Sequence, residues 1–158
     1  MNPKKITIAA LLTASAIIIP FVVFLKVIIP PFTATLGSHA PMFIAMVLGP
    51  EIAVMVGLGS ALGFLLNLGP LVGARAFMHV FVGLLGAHLI KKDVSFGKVV
   101  LITAPIHGIL EGLIVMPFIG IDVYNLIIIT VVGTILHHFA DGFIAQIVIR
   151  ILEKLPVE

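Results

Sequence analysis

The 158-residue chain has no cysteine and no tryptophan, a single tyrosine, and only 10% charged residues. Without cysteine there can be no disulfides and no thiolate metal site. The scarcity of charge excludes an ordinary soluble domain, which carries about a quarter charged residues. A net charge of +2, from nine basic and seven acidic residues, offers no basic surface of the kind nucleic acid requires, so no nucleic-acid partner is expected. No GxxxxGK[ST] phosphate-cradling loop occurs, and no serine or paired carboxylates stand beside a base, so neither an ATPase nor an intramembrane hydrolase is expected. The chain reads as a non-enzyme.

What is abundant is apolar: 61% of residues are hydrophobic and the mean hydropathy is +1.31. Such a surface has to face lipid. A bilayer core about 30 Å thick takes roughly 20 residues per helix, which allows about six spans and no extramembrane domain. The expectation is one integral membrane domain over 1–158, an all-α bundle of six transmembrane helices. Apolar runs between Gly, Pro and charge breaks place the spans at 6–26, 40–49, 51–66, 71–90, 98–118 and 125–150. The basic, apolar N-terminus also fits a secretory signal, but its run continues past Pro20 to Leu25 and is read as the first span. The second run is too short to cross alone, so the connection IPPFTATLGSH before it, rich in proline and poor in helix formers, is expected to lie partly within the membrane as irregular chain.

Lys4, Lys5, Lys91, Lys92, Lys98, Arg150 and Lys154 fall on one side of such a bundle, leaving Lys26 and Arg75. The positive-inside rule then puts both termini in the cytoplasm of a multi-pass plasma-membrane protein. The segment 27–39 and the turns at Asn67–Pro70 and Gly120–Tyr124 gather outside. Glu51 at the start of the third span reads as a helix-end charge, the methionines on apolar stretches as gap-fillers.

Ionisable groups within spans are costly and face a cavity, a partner or each other. Here they come in pairs four residues apart: Arg75 and His79, His107 and Glu111, His137 and Asp141. That spacing puts each pair on one helix face. Rise per residue brings Arg75 and Glu111 to similar depth in the outer half, with His107 beneath them, His137 and His138 near mid-membrane and Asp141 deeper. The candidate substrate-binding residues are Arg75, His79, His107, Glu111 and His138, joined by His39, Asn67, Tyr124 and Asn125 from the outer connections. Arg75 suits an anionic or carbonyl group and the histidines a ring. The alternative is a structural ion pair with hydrogen-bonded histidines. Six histidines also raise the possibility of a transition-metal permease, but the fixed charge of Arg75 opposes a cation, and no metal site is assigned. A stand-alone proton-coupled carrier or channel is a further alternative. Small-residue pairs, Ala10 with Ala14, Gly59 with Gly63 and Gly69 with Gly73, allow close helix approach, most simply within the chain itself.

Taken with the size and orientation, the stretch ALLTA at Ala10–Ala14 and the stretch SHAPMFIAMVLGP resemble the substrate-binding S-components of energy-coupling factor vitamin transporters, over the whole chain. The resemblance implies an irregular connection covering an outward-facing vitamin site. It also implies Ala10 and Ala14 on the face that docks a transmembrane coupling subunit, and two cytoplasmic ATPases that use the ATP, so that this chain holds no cofactor. A toppling of the whole subunit in the lipid releases the substrate in that family. Its metal-binding branch carries a histidine after the initiator methionine, where Asn2 stands here, which disfavours a metal. Few aromatics disfavour stacking a flavin or pterin. Niacin on Arg75 is the first expectation for the ligand and a vitamin B6 compound the second.

Overall fold

The computed structural model describes residues 3–154, so Asn2 lies outside the described residues. The chain folds as a helical bundle: α1 Pro3–Val22, α2 Ala40–Leu48, α3 Pro50–Leu68, α4 Pro70–Lys91, α5 Phe96–Ile119 and α6 Gly133–Leu152, the last continuous with a π-helical segment Tyr124–Val132. Five of these are long and apolar enough to cross a bilayer: α1, α3, α4, α5 and the joined segment 124–152. The nine residues of α2 reach only about 13 Å, so α2 is not a sixth span by length.

Helix ends follow the punctuation. Pro50 and Pro70 each open a helix directly behind Gly49 and Gly69, which adopt φ of 133° and 84° that glycine tolerates. The expected first span is too long: α1 ends at Val22, not 26. Lys26 instead donates to the Pro20 carbonyl at 2.7 Å and supplies a partner to the end of α1.

The expected irregular connection is also corrected. It contains an antiparallel hairpin, β1 Lys26–Ile29 and β2 Phe32–Thr35, with Lys26 opposite Thr35 and Ile29 opposite Phe32 across a Pro30–Pro31 turn with a cis bond. A hairpin pairs its own backbone groups, which is what a segment entering an apolar medium needs. Val27, Ile28 and Ile29 are exposed, whereas Phe32 and Thr35 turn inward.

Because lipid gives no hydrophobic drive between helices, close packing depends on small residues. A Cβ at Gly59 would lie 2.7 Å from the Thr13 methyl of α1, and one at Gly57 would lie 2.8 Å from the Val80 backbone of α4. The Gly59–Gly63 pair therefore packs α3 on α1 inside the chain. Helix α1 is the least enclosed span, and both Ala10 and Ala14 lie on its exposed face.

Candidate functional site

Three helices and the hairpin connection send their polar side chains to one place. The i, i+4 pairs of α4, α5 and α6 bury Arg75, His79, His107, Glu111 and Asp141, with His137 at the margin. The chain after β2 then dips between them, so that His39, expected at the outer surface, is 3% exposed inside the bundle. Its ring centroid lies 4.6 Å from that of His79, 4.9 Å from His107 and 4.4 Å from His137. Of the six histidines only His88, at the far end of α4, stands exposed and apart.

Asp141 explains why the connection dips. Its Oδ1 accepts the Gly37 N–H at 2.7 Å, and its Oδ2 accepts the His39 N–H at 2.9 Å. The His137 Nε2 lies 3.0 Å from the same Oδ2 and 3.1 Å from the Thr35 carbonyl, both acceptors, so it carries the proton. The α6 carboxylate thus holds the loop by its backbone.

Arg75 and Glu111 form the second centre. The Arg75 Nε and Nη2 donate to Glu111 Oε2 at 2.9 and 2.6 Å, and Thr134 donates to the same oxygen. The rest of the guanidinium faces the hairpin, with Nη1 3.2 Å from the Pro31 carbonyl and 3.4 Å from Thr33 Oγ1, and Nη2 3.3 Å from the Thr33 carbonyl. Phe32 lies against it, 5.1 Å from ring centroid to Cζ.

Between these centres is a hollow lined by Thr33, Thr35, His39, Arg75, His79 and Glu111 among others. Its volume is about 20 Å³, room for one water molecule. The convergence expected of the i, i+4 stripes is present, but the space left between the side chains is no larger than a water.

Not every candidate is brought there. Asn67 donates to the Pro20 carbonyl and ties α3 to the end of α1. Tyr124 is 63% exposed, and Asn125 donates its side-chain N–H to Asp122 Oδ2 at 2.7 Å in the preceding turn. The Asn125 hydrogen bonds hold the Asp122 carboxyl below its ordinary value. His138 is buried behind His107, with 3.0 Å between their Nδ1 atoms, and does not line the hollow. Conversely, Asp141, His137, Thr33 and Thr134 enter the site although they were not singled out as binding residues. For Asp141 and His137 the pairing four residues apart was the available signal.

A helical membrane bundle that gathers its buried charges under a hairpin is built as a membrane-embedded binding protein. The niacin transporter NiaX of Lactococcus lactis subsp. cremoris (strain MG1363) is 32% identical over 172 aligned positions, which cover 98% of this chain and 78% of NiaX. The chain therefore belongs to the family of substrate-binding S-components of energy-coupling factor transporters. No family model and no solved structure matches it.

Proposed function

We propose that this chain captures niacin from outside the cell and passes it inward with a transmembrane coupling subunit and two ATPases. One observation carries the ligand reading: a buried arginine has two kinds of partner. The contacts of Arg75 to Glu111 are short, at 2.6 and 2.9 Å, whereas those to the hairpin are 3.2 to 3.4 Å. A pyridine carboxylate exchanges the second set for charge-assisted hydrogen bonds, which are about twice as strong as neutral ones. The same exchange unlatches the hairpin and makes room in a hollow too small for a ring. Pockets that enclose small ligands are some 300 Å³ or larger, so binding has to be coupled to hairpin movement. His39 and His79 then face the ring. The name of the relative agrees with this ligand, and the exposed Ala10 and Ala14 leave the docking face of α1 open.

The test is equilibrium binding to purified protein across a vitamin panel. Nicotinic acid is expected to bind with micromolar or tighter affinity, and nicotinamide, lacking the carboxylate, about tenfold to a hundredfold more weakly. Arg75→Gln is expected to abolish binding of the acid. Preferential binding of pyridoxine, no binding of any panel member, or unchanged affinity in Arg75→Gln overturns the reading.

A further inference from the structure

Behind the hollow, the histidines form a hydrogen-bonded series whose proton directions can be followed. Thr103 Oγ1 donates to the Val99 carbonyl at 2.8 Å, so towards His138 Nε2, 3.0 Å away, the hydroxyl accepts. A neutral His138 protonated at Nε2 has a bare Nδ1. That nitrogen accepts from His107 Nδ1 at 3.0 Å, which leaves the lone pair of a neutral His107 on Nε2. This atom is buried without a hydrogen-bond partner, and 3.3 Å from it stands the Glu111 Oε1 carboxylate oxygen. A lone pair facing a carboxylate inside a low-dielectric bundle needs a positive charge near it. His39 Nδ1 is likewise buried without a hydrogen bond of good geometry, 3.0 Å from Asp141 Oδ2.

The local charge points the same way. Arg75 is committed to Glu111, whereas the partners of the fully buried Asp141 are imidazoles and backbone N–H groups. One carboxylate is thus uncompensated when the rings are neutral. Single ligand atoms of His39, His79 and His107 all lie within 4.8 Å of one another. His79 is held at Nδ1 by Ser60 Oγ at 2.8 Å, which makes Nε2 the nitrogen it offers. Zinc bound by imidazole at about 2.0 to 2.1 Å holds its tetrahedral ligands about 3.3 Å apart, so the ligand atoms need to draw in by up to about 1.5 Å.

We infer that His39, His79 and His107 form a binding site for a borderline divalent cation of the zinc, cobalt or nickel class, with the uncompensated Asp141 carboxylate offsetting part of its charge. Three protein ligands leave a fourth position open toward the hollow, where water or a donor atom of a bound ligand completes the coordination.

The test uses the full chain freed of any affinity histidines, stripped with chelator and titrated with Co²⁺, then with Zn²⁺ in competition. Expected are about one equivalent of Co²⁺ with visible absorption typical of nitrogen-ligated four- or five-coordinate cobalt, displacement by Zn²⁺, and a raised melting temperature. His79→Ala and His107→Ala are expected to weaken binding at least about tenfold, while the exposed His88→Ala retains it. No stoichiometric cobalt spectrum from folded protein, or binding that survives both His79→Ala and His107→Ala, overturns the site and leaves a protonated imidazole as the compensating charge. Because the cobalt titration contains no vitamin, a failure of the metal site is read separately from a failure of niacin binding.

Discussion

Replacing Arg75 by methionine keeps most of the side-chain volume and removes the guanidinium. Glu111, 3% exposed, would lose its 2.6 and 2.9 Å donors and keep only the Thr134 hydroxyl as a hydrogen-bond donor. Stranding one member of a buried pair costs about 3 to 5 kcal/mol. Because Thr134 still donates, the lower end applies, about 3 kcal/mol, or a fall in melting temperature of about 6 to 12 °C for a chain of this length. Replacing both partners removes the stranded charge as well, so Arg75→Met with Glu111→Leu is expected to return to within about 1 to 2 kcal/mol of the parent. The assay is thermal unfolding in detergent followed by helical circular dichroism, with the four proteins completing a double-mutant cycle. A melting temperature for Arg75→Met within about 2 °C of the parent, or a double variant no more stable than Arg75→Met, refutes the buried pair.

Asp141→Asn cannot accept both the Gly37 and His39 N–H groups, so at least one of those amides is expected to exchange its hydrogen about tenfold faster; unchanged protection refutes the anchoring role. Gly57→Val forces α3 away from the Val80 backbone and is expected to cost about 1 to 3 kcal/mol, read as a lower melting temperature. Leucine at both Ala10 and Ala14 should leave vitamin binding intact and block co-purification with the coupling subunit; normal assembly would remove that face from consideration. Asn125→Ala is expected to raise the Asp122 pKa, seen in a carboxyl NMR titration. Because the folded value is depressed, the stabilisation of that turn is present above the unfolded pKa and disappears as pH falls through the folded one.

The spans were legible because each is a long apolar run ended by glycine, proline or lysine, and predicted bounds fell within a few residues except at the end of α1. The three stripes were legible for the same reason: a spacing of four on a helix fixes which residues share a face. Depth along a span extrapolates well only between helices, so Arg75 and Glu111 could be matched, but His39 could not. Its position depends on a carboxylate of α6, 102 residues away, accepting its backbone N–H, and no local pattern encodes that. The hairpin does carry a local signal, since KVII and FTAT flank a two-residue break and are rich in β-branched residues. The paired prolines outweighed it. Tyr124 and Asn125 stay outside for another reason: they open the final span at its outer end, where Tyr124 is exposed and Asn125 turns back onto Asp122 in the preceding turn.

The choice of a hairpin over the site, instead of a longer helix or a loose loop, follows from backbone hydrogen bonding in an apolar medium. A loose loop that lifts away exposes carbonyl and N–H groups at several kcal/mol each, and a helix must unwind to let a ligand past. Strands paired from Lys26–Thr35 to Ile29–Phe32 keep each other's groups satisfied as they move together. The turn itself has little to lose, because Pro30 and Pro31 carry no N–H. What must be replaced on lifting is the set of contacts made to Arg75 by the Pro31 carbonyl and by Thr33. In the proposed function a ligand carboxylate satisfies the arginine, and water or lipid headgroups satisfy the released carbonyls. On the function proposed above, the cost of opening is concentrated on Arg75, the side chain that meets the ligand carboxylate, and opening is tied to binding.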